Sequence, residues 1–189
     1  MLNIALFGPP GSGKGTQSKF IINKYHLVYI STGDILREQI SLQTALGIQA
    51  KQLIDHGHLV PDELVVQLIE DKLNNGGNAN GFLFDGFPRT CSQAEILEQI
   101  LKKRHMNLNA MVSLEVPQTE LVQRLLDRAS VQGRSDDTKE VIEARFKEYA
   151  SKTMPVIDFY KSLNKYHPVD GVGSLEDIFA RIQQVIDNI

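Results

Sequence analysis

The chain has 189 residues, 42% hydrophobic and 23% charged, with a net charge of −3, which suits one soluble globular domain with its own core. The negative balance argues against a general nucleic-acid binder, and Cys91, the sole cysteine, rules out both a disulfide framework and a cysteine zinc site within the chain. No apolar run approaches the ~18 residues of a membrane span. The opening run also lacks a basic flank, so neither a leader nor a membrane partner is expected, and cytoplasmic is the expected location.

In chain order, the apolar run Leu2-Asn3-Ile4-Ala5-Leu6-Phe7 reads as a buried strand. It leads into Gly8-Pro9-Pro10-Gly11-Ser12-Gly13-Lys14-Gly15-Thr16 and then a helical stretch from Gln17. Strand, glycine-rich turn and helix start together form a phosphate-holding arrangement, because glycines let backbone N–H groups turn toward an anion. Lys14 adds a mobile charge for terminal phosphates. The hydroxyl comes one place late, at Thr16 after Gly15, which leaves open the direct Mg²⁺ contact that a GxxxxGK[ST] loop makes.

Leu27–Ile30 reads as the second strand, followed by Ser31-Thr32-Gly33-Asp34-Ile35-Leu36-Arg37. Ser31 or Thr32 is either a ligand contact or a helix N-cap. Asp34 and Arg37, three apart, either serve a ligand or pair with each other. From about Asp34 to Pro61 the pattern is of short helices without a strand. Leu64, Leu68 and Leu73 mark a further helix.

Phe82–Phe84 is a third strand, closed by Asp85-Gly86-Phe87-Pro88-Arg89-Thr90. Asp85, at a strand's carboxyl end, is placed to hold Mg²⁺ through water, or else to cap a turn. The Arg89 fork suits a bidentate phosphate contact, or else a surface ion pair.

Ala110–Leu114 reads as the fourth strand. Leu121, Leu125 and Leu126 mark the next helix, on which Arg124 and Arg128 share a face. Ser130–Asp137 reads as a polar loop carrying Arg134, and Arg145 follows. These arginines form either an anion cage or a solvated basic face, and Asp136 and Asp137 either order the loop or face solvent. His167–Val169 is a weaker fifth strand. Ile178, Ile182 and Ile186 mark the last helix, with Ser174 as N-cap and Glu176 and Asp177 in its first turn. Alternating strands and helices imply an α/β fold, a doubly wound parallel sheet with right-handed crossovers, whose carboxyl edge is where ligands bind.

The ordered set of Gly8–Gln17, Ser31–Arg37, Leu59-Val60-Pro61-Asp62-Glu63, Asp85–Thr90 with Gln93, Arg124, Arg128, Arg134-Ser135-Asp136-Asp137, Arg145 and Val169-Asp170-Gly171 closely resembles the adenylate kinase family along essentially the whole chain. The resemblance implies a five-stranded sheet of the P-loop NTPase type in a single domain over 1–189. It implies a mobile helical insert for the monophosphate at 31–60 and a short lid at 128–138. The activity implied is reversible, Mg²⁺-dependent phosphoryl transfer from ATP to AMP giving two ADP, by a monomer.

Carried over, Gly11, Ser12, Gly13, Lys14, Gly15 and Thr16 cradle the ATP phosphates. Arg124 lies against the adenine, Arg128 contacts the ATP phosphates and Gly173 offers a backbone contact to adenine. On the AMP side, Thr32 and Gln93 bind the base. Gly86, Phe87 and Pro88 line the site, and His58, Leu59 and Val60 offer backbone contacts. Arg37, Arg89, Arg134 and Arg145 hold the AMP phosphate and the transferred group. Glycine at the Gly15 position is the family's own pattern, so Mg²⁺ sits on phosphates and waters with Asp85 behind the water. A short loop and a lone cysteine match the short-lid type without structural zinc. UMP/CMP kinases are the nearest alternative, and Thr32, Thr90 and Gln93 favour AMP.

Overall fold

The computed structural model describes residues 1–76, 79–132 and 135–189. Among them, five parallel strands form one sheet in the order β2-β3-β1-β4-β5. The strands are β1 (Leu2–Phe7), β2 (Val28–Ser31), β3 (Gly81–Asp85), β4 (Ala110–Glu115) and β5 (Tyr166–Asp170). β1 is paired on both sides, to β3 with Leu6 opposite Asp85 and to β4 with Phe7 opposite Ser113.

The period of two along each strand divides the core into two layers. Ile4 and Leu6 of β1, Leu83 of β3 and Val112 and Leu114 of β4 pack with Ile21 of α1 (Lys14–Tyr25) and with Ile178, Ile182 and Ile186 of α9 (Leu175–Ile186). Ala5 and Phe7, Phe82 and Phe84, and Met111 point to the other face. There they meet Leu97 and Leu101 of α5 (Cys91–Lys103) and Val156 and Tyr160 of α8 (Pro155–Ser162). Strands buried on both faces explain why β1 reads as a nearly unbroken apolar run. α9 begins as its sequence reads, with the Ser174 side chain accepting from Asp177 N–H.

Between β2 and β3 lie α2 (Thr32–Ser41), α3 (Ala45–Ile54) and α4 (Asp62–Asn74). Ser31 caps α2, its side chain accepting from Asp34 N–H. In α4 the buried stripe is Val65, Ile69 and Leu73, one position round from Leu64 and Leu68, so Leu73 alone of the three leucines reaches the core fully.

The segment read as a polar loop from Ser130 is helical to Gln132, since α6 spans Gln118–Gln132. The Ser130 hydroxyl donates to Asp127 O (2.7 Å), returning to a helical carbonyl instead of breaking the helix. Leu121 and Leu125 are buried as expected, while Leu126 is exposed, about 100° further round the helix. A 3₁₀ turn at Ser135–Asp137 leads into α7 (Lys139–Glu148). Arg134, expected to contact phosphate, lies outside the described residues. A five-residue π-helical turn, Tyr149–Thr153, joins α7 to α8. Pro155, lacking an N–H, opens α8. No described helix is long and apolar enough to cross a membrane.

Candidate active site

At the carboxyl edge of the sheet, α1 starts with no side-chain cap and no acidic residue in its first turn. Its N-terminal N–H groups and dipole therefore favour an anion. The loop before it is held in place by packing. A Cβ on Gly11, at φ 85°, would lie 2.9 Å from Leu121 O and 3.0 Å from Leu125 Cγ, so only glycine lets α6 close on the loop. A Cβ on Gly15 would meet nothing within 4 Å, which leaves open space beside the loop. Lys14 Nζ donates back to Gly8 O (2.7 Å) and Pro9 O (3.0 Å).

Three further cations share the Lys14 field. Desolvation lowers the Lys14 pKa to about 8; Asp85 pulls it upward more strongly than any single arginine pulls it down, and Arg89, Arg145 and Arg128 add to the lowering. Burial likewise lowers the pKa of Arg89 and of Arg145, partly opposed by Asp85 at Arg89 and by Asp136 at Arg145. Guanidinium groups stay charged regardless, so Lys14, Arg89, Arg128 and Arg145 form a repelling cluster.

Carboxylates hold that cluster. Arg128 donates from Nε and Nη2 to the two Asp137 oxygens, both at 2.7 Å. Arg145 Nη1 donates to Asp137 Oδ1 (2.9 Å) and Asp136 Oδ2 (3.0 Å). Asp136 and Asp137 are thus buried partners of arginines, not solvent-facing acids. Their position in the 3₁₀ turn decides this, because it aims both carboxylates back across α6 and α7.

On the β3 side, Asp85 is buried and its Oδ2 accepts from the Tyr29 hydroxyl (2.7 Å). Burial and Asp85 raise the Tyr29 pKa, keeping the phenol protonated and donating. Among the described residues no group of three or more His, Cys, Asp or Glu could hold a metal. The Asp85 carboxylate and the Ser12 and Thr16 hydroxyls line the same cavity, a hard-oxygen set that fits Mg²⁺ only if phosphates and water complete its shell.

The Gly86 carbonyl accepts from Arg89 Nε (2.7 Å) and Thr32 Oγ1 (2.9 Å), so the turn after β3 aims both side chains. Arg37 pairs with Asp34, realising the competing ion-pair reading. Gln93 is buried, its Oε1 accepting from Arg89 N–H (2.7 Å) and its Nε2 donating to Asp62 Oδ1 (2.7 Å). Leu59 N–H donates to Glu148 Oε1 (3.2 Å). Burial raises the Glu148 pKa, but hydrogen bonds from Lys152 and Leu59 outweigh it and leave the carboxyl below its ordinary value. The His58 side chain is mostly exposed, while Val60, Phe87 and Pro88 are buried. Arg124 pairs with Glu120 and donates to Gly171 O (3.1 Å), beside Gly173.

All the residues expected from the sequence to touch a nucleotide or its Mg²⁺, Arg134 aside, line one cavity of about 1100 Å³, larger than a pocket for one small ligand. Tyr29, Glu148, Tyr149 and Thr153 also line it and were missed by sequence reading. Pro155, which a straight helix from α7 onward cannot accommodate, was the available signal for the π turn that places Tyr149 and Thr153 there. The position of Tyr29 on β2, two residues before the Ser31 cap, was the signal for its hydroxyl.

A phosphate loop, several partly buried arginines and a wall of polar groups line one cavity roomy enough for more than one small ligand. That is the construction of a phosphate-loop nucleotide kinase. The family model for adenylate kinase matches residues 6–165. An adenylate kinase of Leptospira biflexa is 51% identical over 178 residues, 94% of this chain and 96% of that one. Those of Parabacteroides distasonis and Flavobacterium psychrophilum are 46% and 44% identical over the full length of both chains. The chain belongs to the adenylate kinase family, and it is a nucleoside monophosphate kinase.

Proposed function

We propose that the cavity holds ATP over the phosphate loop and AMP against the Thr32–Gln93 wall, with the transferred phosphoryl group between them. The reaction is ATP + AMP to two ADP, and reversible. The observation that carries this division is the convergence of Lys14, Arg89, Arg128 and Arg145 on one stretch of the cavity. Four mutually repelling cations are stable together only around anionic groups, here the buried carboxylates of Asp136 and Asp137 and, in the reaction, phosphates.

An AMP phosphate oxygen forms the new P–O bond as the bond from the γ-phosphorus to the bridging oxygen breaks, and that oxygen leaves with ADP. The nucleophile is already an anion, so no general base is required. Positioning and charge stabilisation supply the catalysis. Lys14 and Arg128 hold the ATP phosphates, Arg89 and Arg145 orient the AMP phosphate and neutralise the moving charge, and Arg37 leaves Asp34 to join them. Arg124, fixed by Glu120 and Gly171 O, stacks on the ATP adenine, and Gly173 offers it a backbone contact. Mg²⁺ would arrive on ATP, with Asp85 accepting from its water, and would supply charge neutralisation at the β- and γ-phosphates. The insert at 31–60 and the lid at 128–138 close over the ligands and keep water out.

The test is a panel of AMP, CMP, UMP and GMP as acceptors with Mg²⁺ and ATP. AMP should lead by at least tenfold in kcat/KM, a lower bound for a site whose hydrogen-bonding groups the wrong base leaves unpaired. A lead for CMP or UMP would overturn the choice of base and leave the phosphate roles standing.

A further inference from the structure

Gln93 stands at the third position of α5, whose N-cap is Thr90 with its side chain accepting from Gln93 N–H. In a capping box a glutamine here turns back toward the start of the helix, and Gln93 Oε1 does so, accepting from Arg89 N–H. The amide nitrogen then faces away and needs an acceptor. Asp62, the first residue of α4, supplies it: Oδ1 accepts from Gln93 Nε2 and Oδ2 accepts from Thr90 Oγ1, both at 2.7 Å.

A carboxylate only accepts and a backbone N–H only donates. Asp62 therefore assigns the nitrogen end of the Gln93 amide, and Arg89 N–H assigns the oxygen end. Each end keeps one capacity for a ligand, a second N–H and a second lone pair. On a purine, the 6-position and N1 read as donor then acceptor in adenine. They read as acceptor then donor in hypoxanthine and guanine. An amide locked in one sense matches the first order, and a flipped amide matches the second.

We propose that Asp62, which does not itself line the cavity, is a positioning residue that sets the choice of adenine over 6-oxopurines by locking the Gln93 amide. The inference rests on the reading that Gln93 meets the AMP base. The competing role is a staple between α4 and α5, which would affect all acceptors alike.

The experiment measures kcat/KM for AMP and for IMP at saturating Mg²⁺ and ATP, with Tm recorded for each variant. IMP is the probe because it differs from AMP only at the 6-position and N1. A correctly ordered bidentate amide discriminates by about 1–3 kcal/mol, or about five- to 150-fold. Asp62→Ala should lower the AMP-to-IMP ratio at least tenfold, mainly through a higher KM for AMP, with KM for ATP unchanged. Asp62→Asn, which keeps a carbonyl acceptor for Gln93, should retain most of the ratio. Asp62→Ser, too short to reach Gln93 but still polar at the first position of α4, gives the same reading if the alanine variant fails to fold. An unchanged ratio in folded Ala or Ser variants overturns the proposal, as does an equal loss in Asn and Ala. Gln93→Ala separates the two levels. If it leaves the AMP KM and the ratio intact, the base-contact reading falls and this inference with it. If it collapses the ratio while the Asp62 variants keep it, this inference alone falls.

Discussion

Replacing Asp137 by alanine tests the view that buried carboxylates hold the phosphate-binding arginines in place. The Asp137 side chain has 0% exposure, against 26% for Arg128 and 19% for Arg145. It accepts three charge-assisted hydrogen bonds, at 2.7, 2.7 and 2.9 Å. Among the described residues Arg128 has no other hydrogen-bond acceptor, whereas Arg145 keeps Asp136. Breaking a buried ion pair by removing one member costs about 3–5 kcal/mol. Water reaches Arg128 and Arg145 keeps a partner, so the cost falls to the bottom of that range or just below it, about 2–3 kcal/mol. At about 2–4 °C per kcal/mol for a chain of this size, Tm should fall by about 5–10 °C.

Thermal melts should be run on nucleotide-free protein and again with saturating Mg²⁺ and ADP. Phosphate oxygens can replace the lost carboxylate, so the deficit should shrink by half or more when nucleotide is bound. Turnover should fall at least tenfold, because the arginines are no longer pre-aimed. Asp137→Asn, which keeps an oxygen acceptor, should lie between wild type and alanine. A Tm loss under about 2 °C, within the range of ordinary surface substitutions, or a deficit that nucleotide leaves unchanged, would refute the reasoning.

The Lys14 pKa, lowered to about 8 from 10.5, has a signed consequence. Between those values the unfolded chain carries a proton that the folded chain has lost, so the stability of the nucleotide-free protein should rise with pH across that window. In the same window the phosphate loop loses its cation, so kcat/KM for ATP should fall with a free-enzyme pKa of about 8. A flat profile to pH 10 would contradict it, and Lys14→Arg should remove the alkaline arm. At Gly86, φ is 73° and a Cβ would lie 2.7 Å from Arg89 Nη2 and 2.9 Å from Thr32 Oγ1. Gly86→Ala should therefore raise KM for AMP at least tenfold while KM for ATP stays within about twofold; equal changes in both would place the damage outside the AMP wall. Because no three or more His, Cys, Asp or Glu among the described residues group to hold a metal, EDTA should leave the Tm of nucleotide-free protein within about 1 °C, and a larger drop would reveal a structural metal.

Local chemistry was legible in the chain where it depends on neighbours in sequence. The glycines and Lys14 of the loop, the Ser174 cap, the Ile178–Ile182–Ile186 stripe and the first four, apolar strands follow from spacing and residue type, because helix and strand periods act over a few residues; β5, Tyr-His-Pro-Val-Asp, is only weakly marked. Ser31 and Thr32 could not be told apart as caps from sequence alone. The structure separates them, with Ser31 capping α2 and Thr32 bonded across to Gly86 O.

What lay beyond the sequence is what depends on distant segments meeting. From sequence Asp136 and Asp137 either order the loop or face solvent, and only the packing of α6, the 3₁₀ turn and α7 brings Arg128 and Arg145 onto them. Tyr29 acquires its role only because β2 pairs beside β3, setting Ser31 opposite Asp85. Asp62 and Gln93, on different helices, meet only once α4 and α5 pack together. Spacing along a chain determines which residues share a helix face or a turn. The partners that decide charge, orientation and specificity are chosen when the sheet closes and the helices crossing its edge come into contact.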